Sequence, residues 1–284
     1  MTSAGVPYRT GRLPSNRDLA LEYAFSLVVA VIMAVASVVG LLYSTTLYPT
    51  EVLVLSYLPS DAFNLVIGLP FLLGSLWLAR RGKLVGLLCW PGALFYVLYM
   101  YIPYVVGVPF NVLFLAYLLL VVLSAYTLIG LVASVASIDG EAVRQRLSGF
   151  VPARTSGGIL AGLAIFIVLR QTALIVTALI SQASHDSLEI PSWIADFAVV
   201  PMLLISGIQL WRRRPLGYVT GGGLLLAYGI LALGLIPFFG LQARYTGSPI
   251  DLAGIGAVLI MAALCFVPFA FFVRGATSRP PSQL

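Results

Sequence analysis

Charge is what this sequence has least of. Only 9% of its 284 residues are Asp, Glu, Lys or Arg, while 60% are hydrophobic. Soluble domains carry about 25% charged residues, and no soluble core could hide this much apolar surface. The solvent must be a bilayer. Histidine, lysine and cysteine are nearly missing too. His185 is the only histidine and lies in a polar stretch, which excludes a bis-histidine haem or a histidine-rich metal site. Lys83 is the only lysine and lies in a basic loop, which excludes a retinal Schiff base on a late helix. Cys89 and Cys265 fall inside apolar runs, in neither CxxC nor metal-like spacing, and read as small packing residues. There is no HExxH, GxSxG or P-loop, and no close pair of intramembrane carboxylates. Nothing calls for a metal or cofactor, and without a nucleophile–base set an intramembrane enzyme ranks third among the readings.

What is present is a series of long apolar runs without strict alternation, which excludes a barrel. They predict an all-α, polytopic transmembrane bundle of eight spans, at about 20–44, 61–79, 84–105, 111–136, 158–182, 191–211, 216–239 and 252–273. The first run is too long for a signal-peptide core and is expected to stay as a span. Residues 1–19 and 274–284 form polar tails, and 138–157 link a first four-helix half (20–137) to a second (158–273). The stretch 52–58, VLVLSYL, is too short to span and is expected at the interface. In the linker, Val143, Leu147 and Phe150 repeat at helical spacing beside Arg144 and Arg146, as on a short amphipathic surface helix. Small-xxx-small spacings at Gly158/Gly162 and Gly217/Gly221 predict close helix contacts.

The net charge of +6 does not point to nucleic acid, because the charges sit in short clusters between apolar runs. With the N-terminus inside, the tails and even-to-odd loops hold 14 of the 16 Lys and Arg; Arg244 falls outside and Arg170 within the membrane. Glu51, Asp61, Asp186, Glu189 and Asp251 fall toward the other side. The positive-inside rule then places both termini in the cytoplasm; the expected location is the plasma (inner) membrane.

Shifting the chain by 131 residues pairs Pro70 with Pro201, Ser75 with Ser206, Arg81 with Arg212, Gly86 with Gly217 and Gly92 with Gly223. Three leucine pairs bring the identities over residues 70–94 to eight, against roughly three for a composition this biased. Two four-helix halves of the same orientation are expected, a parallel 4+4 repeat about the membrane normal. The stretch LARRGKLVGLLCWPGALFYVLYMYIPYVVGVPFNVLFLAYL, echoed at WRRRPLGYV, resembles an uncharacterised group of prokaryotic multi-pass membrane proteins; the resemblance implies a prokaryote and no activity.

Arg170 stands out, a lone cation amid more than twenty uncharged residues. A mid-membrane cation costs roughly 2.5–3.5 kcal/mol on insertion scales, so it is expected to face the bundle interior and pair with Asp196. Asp61 and Asn64, in PSDAFN, read as caps opening the second span, and Asn111 as a cap opening the fourth; together they could instead rim a cavity. Tyr101 and Tyr104 read as an interfacial belt, whereas Tyr96, Tyr99 and Tyr117 lie deeper, where a hydroxyl needs a partner. These features admit a transport or permeation protein, binding a small solute or lipid headgroup between the halves. They also admit a non-transporting subunit or sensor whose polar core only fixes packing. The bilayer is the one sure partner; a small-molecule or lipid ligand and an oligomeric or membrane-protein partner stay open.

Overall fold

In a computed structural model, residues 19–138, 140–181, 189–246, 249 and 251–278 are described. The basic N-terminal tail, the loop holding His185 and Asp186, the Arg244 side chain and the end of the C-terminal tail lie outside the described residues. Eight helices are long and apolar enough to cross a membrane, and no strand occurs among the described residues. The chain is an all-α multi-pass membrane protein, as its hydropathy predicts.

The first span is α1 (Ala20–Leu42), followed by a single turn, α2 (Ser44–Leu47). The second joins α3 (Glu51–Phe63), a π-helical turn (Asn64–Gly68) and α4 (Leu69–Arg80) into one rod of 30 residues. The segment expected at the interface, 52–58, is therefore the first turns of the same continuous helix as the second span. Thr50 caps it by accepting from the Leu53 amide at 3.3 Å, and Pro59 forfeits only one backbone donor. At 1.5 Å per residue the rod is about 45 Å long, well beyond the roughly 30 Å apolar core, so two polar residues fit within its length.

The third and fourth spans are α5 (Leu84–Gly107) and α6 (Phe114–Ile138); the linker folds as α7 (Gly140–Leu147); then come α8 (Ala153–Ser181), α9 (Glu189–Trp211), α10 (Pro215–Thr246) and α11 (Leu252–Thr277). An amphipathic linker helix forms with Val143 and Leu147 buried, whereas Phe150, expected on the same face, lies beyond its end and is exposed. Arg146 donates to the Ala276 carbonyl at 3.0 Å and to that of Ser278 at 3.3 Å, tying the linker to the end of α11. On its exposed side Arg144 is paired with Glu141, whose carboxyl it holds below the usual range.

α5 is the axis of the bundle, packing on α4, α6, α9 and α10. It crosses α10 at Gly92 and Gly223, where a β-carbon on Gly92 would lie 2.0 Å from the Gly223 carbonyl oxygen, and one on Gly223 2.5 Å from that of Leu88. Only glycine permits that approach. The turns entering these two helices match atom for atom, 131 residues apart. After α4, Lys83 N–H donates to the Leu78 carbonyl and Gly82 N–H to that of Ala79; after α9, Arg214 N–H donates to Gln209 and Arg213 N–H to Leu210. Both are Schellman closures, with left-handed residues at Gly82 (φ 69°) and Arg213 (φ 56°). Gly86 then fits against the Leu78–Ala79 backbone, and Gly217 against Gln209–Leu210.

α8 rests on α9 through Gly157 and Gly158, the latter against the Trp211 ring, while Gly162, the other half of the pair expected from spacing, takes no part. A β-carbon on Gly157 would meet the Gly207 carbonyl oxygen at 2.6 Å, whereas Gly162 has open space. The outer helices differ between the halves: α1 packs along α6, while α8 touches α11 only sparsely.

Candidate functional site: a tyrosine cage around a buried aspartate

The residues expected as helix caps are the centre of the polar interior. Asp61 lies about 15 Å along its helix at 1.5 Å per residue and is only 1% exposed, and Asn64 is fully buried. The capping expectation fails because the helix begins ten residues earlier, at Glu51. The two residues are three apart and share a face.

Tyr48 donates its hydroxyl hydrogen to Asp61 Oδ2 at 2.6 Å, and Tyr104 donates to Oδ1 at 2.9 Å. Tyr96 donates to Asn64 Oδ1 at 2.8 Å, and Asn64 Nδ2 points to the Tyr101 hydroxyl at 3.4 Å. That hydroxyl also lies 3.0 Å from Ser37 Oγ on α1. Tyr57 donates to the Pro103 carbonyl at 2.9 Å. Tyr117, from α6, completes the cage. Its ring centre is 5.0 Å from that of Tyr104 and 6.1 Å from that of Tyr101, and its buried hydroxyl has no hydrogen-bond partner. Tyr101 and Tyr104 are thus interior residues, not an interfacial belt: they are 0% and 1% exposed.

Three glycines make the room. A β-carbon on Gly40 would lie 2.1 Å from Asp61 Oδ2, one on Gly68 2.5 Å from the Tyr96 ring, and one on Gly107 2.4 Å from the Tyr57 hydroxyl. Gly68 belongs to the π turn, a widened turn of the kind that recurs at functional sites. The side chains that meet the Asp61 carboxylate are Tyr48 and Tyr104. Asp61 therefore has two hydroxyl donors and no cationic partner.

The second aspartate sits in the other half. Asp196, 9% exposed, accepts from Tyr99 on Oδ1 at 2.9 Å and from the Gln171 amide on Oδ2. Tyr228 lies near, with its ring 6.4 Å from that of Tyr99 and its buried hydroxyl unpartnered. Helix α5 thus gives one tyrosine to each aspartate, Tyr104 to Asp61 and Tyr99 to Asp196.

Arg170 is not inside. It lies on the exposed side of α8 and makes no direct ion pair with Asp196; its Nη1 instead reaches Gln171 Oε1 at 3.5 Å. Successive helical residues point about 100° apart, so the buried polar position belongs to Gln171, 3% exposed. Asn111 stands apart from both clusters. It closes the turn before α6, accepting from the Leu113 amide at 2.8 Å while its amide donates to Pro109.

Sequence reasoning missed Tyr48, Tyr57, Tyr104 and Gln171. The only available signal was glycine: Gly40 and Gly107 stand where a polar side chain must pass close to backbone. No protein-family model matches the chain, and no curated protein or solved structure does so either.

Proposed function

We propose that this is a membrane transport or permeation protein, which binds a small solute or lipid headgroup at the polar interior between two four-helix halves. The observation that carries this reading is the pair of buried carboxylates, Asp61 within the first half and met only by hydroxyls, and Asp196 in the second half and joined to the first by Tyr99. An intramembrane ionisable group is costly to keep and marks ion or substrate pathways by default. In this reading the halves are parallel repeats related by rotation about the membrane normal, with both termini and the basic turns in the cytoplasm of a prokaryote. The matched Schellman turns and the Gly92–Gly223 crossing support the duplication, since residues 131 apart meeting each other is what an axis between the halves requires. Asp61 and Asp196, each held by a tyrosine from α5, are then the candidate binding groups.

Native mass spectrometry of the purified protein tests the reading. Wild type should retain a small molecule or lipid that Asp61→Asn and Asp196→Asn lose. Identical spectra for all three would favour the second reading, a non-transporting subunit whose polar core fixes helix packing. That reading draws support from the dense internal pairing of the tyrosine cage.

A further inference from the structure

We propose that Asp61 is an exchangeable proton site, with Tyr104 as the hydrogen-bond switch that accommodates both of its states. The inference rests on the transport reading only for what the proton is used for. The site itself stands on the geometry of the cage.

The cage contains no counter-charge. The polar groups brought to it by each packed element are Ser37 from α1, Tyr48 from the turn before α3, Tyr57 and Asn64 from the second span, Tyr101 and Tyr104 from α5, and Tyr117 from α6. All are neutral. The charge on the carboxylate must be balanced by something that comes and goes, or be removed.

A metal cation fits poorly. Both carboxylate oxygens already accept hydroxyl hydrogens. The backbone of Gly40 stands so close that even a methyl group would lie 2.1 Å from Oδ2. Calcium and magnesium take six or more oxygen ligands and zinc takes four nitrogen, sulfur or carboxylate ligands, whereas the cage offers a single carboxylate and no cluster of three metal-ligating side chains occurs among the described residues. A proton needs none.

The switch is visible in Tyr104. Its hydroxyl lies 2.9 Å from Asp61 Oδ1 and 3.3 Å from the Tyr57 carbonyl oxygen, so it has two acceptors for one hydrogen. With the carboxylate ionised, the hydrogen points to Oδ1. When a proton from water adds to Oδ1, an O–H bond forms there and the carboxyl becomes neutral. The Tyr104 hydrogen turns to the Tyr57 carbonyl, and the new acid O–H donates to the Tyr104 oxygen. Release reverses each step. Tyr117, buried beside Tyr104 with an idle hydroxyl, is a further group able to exchange bonds during the change. Tyr48 is followed directly by exposed Pro49, Thr50 and Glu51, so the short way to water runs past its ring. Asp196 differs, because the Gln171 Nε2 group, which only donates, holds one of its oxygens.

Infrared difference spectroscopy of the full chain in lipid nanodiscs, stepped in pH, reads the protonated carboxyl directly. Wild type should show a carboxyl C=O band that appears and vanishes reversibly with pH. Asp61→Asn should lose it, Asp196→Asn should keep it, and Tyr104→Phe should keep it at a displaced frequency because its hydrogen-bond partner has gone. A wild-type spectrum with no reversible carboxyl band across the pH range where the protein stays folded would overturn the proposal. So would a band as strong in Asp61→Asn as in wild type, since the other nine Asp and Glu side chains add only the part that both share. Proteoliposomes with an internal pH-sensitive dye separate this from the transport reading. Proton uptake lost in Asp61→Asn would support both. A titrating Asp61 band without proton uptake in wild type would keep the proton site and count against coupled transport.

Discussion

At the scale of single residues, the interior is held by side chains that have no slack. Gly40→Ala would place a methyl 2.1 Å from Asp61 Oδ2 and 3.0 Å from the Tyr48 hydroxyl. Overpacking of this kind costs about 1–3 kcal/mol, so a clear fall in thermal unfolding temperature in detergent is expected. Gly162→Ala, at a helical position with open space around it, should be neutral or raise that temperature, by at most about 1 kcal/mol of helix propensity. Equal losses for the two variants would refute the cage packing. The Asp196 cluster yields a second contrast. Gln171→Leu strips Asp196 Oδ2 of its donor, which should cost about 1–3 kcal/mol; adding Asp196→Leu should recover much of it, because the unpaired carboxylate goes as well. Arg170→Leu should cost less, since the residue is exposed and its contact with Gln171 Oε1 is long, at 3.5 Å. A large loss for Arg170→Leu alone, in the same melts, would return the arginine to a structural role. Much of this chemistry was hidden from the sequence for a physical reason. Hydropathy measures how apolar a stretch is and not which way a residue points, so Arg170 and Gln171 look alike to it though they face apart.

At the scale of helices, the sequence was far more legible. Eight runs of apolar residues became eight helices, because inside a bilayer the backbone has no partner but itself. Where the reading failed, at residues 51–63, the polar letters Ser56, Ser60, Asp61 and Asn64 imitate a helix start. Ser56 and Ser60 in fact return their hydroxyls to carbonyls four residues back, at 2.9 Å each, while Asp61 and Asn64 take tyrosines. Such bonds make a polar helix stretch tolerable in an apolar surrounding, and a hydropathy window does not register them. The paired turns yield a prediction at this scale. Both need a left-handed residue to close, but only the first has glycine there. A left-handed side-chain residue costs about 1–2 kcal/mol, so Gly82→Ala should destabilise by about that amount and Arg213→Gly should stabilise by a similar or smaller one. Melting curves of the two variants would show opposite shifts; shifts of the same sign would mean that the turns are not closed alike.

At the scale of the whole molecule, the question is which end of the bundle meets which compartment. An even number of spans puts the start of α1 and the end of α11 on the same side, together with α7 and the turns carrying Arg80, Arg81, Lys83 and Arg212 to Arg214. Basic residues near the ends of spans resist translocation, whereas acidic ones contribute little. The basic end should therefore be cytoplasmic, and the end bearing Glu51 and Asp251 should face outward. Cysteine labelling decides this, and the fold makes it clean: Cys89 and Cys265 are both buried in the bundle and should not react, whereas Glu51 and Arg213 are exposed. A membrane-impermeant thiol reagent applied to intact cells should label Glu51→Cys and spare Arg213→Cys until the membrane is permeabilised. The same orientation sets the direction of the proposed proton site, because Tyr48 opens toward the Glu51 end and so toward the outside. Labelling of Arg213→Cys in intact cells, with Glu51→Cys protected, would invert the molecule and make Asp61 draw its proton from the cytoplasm.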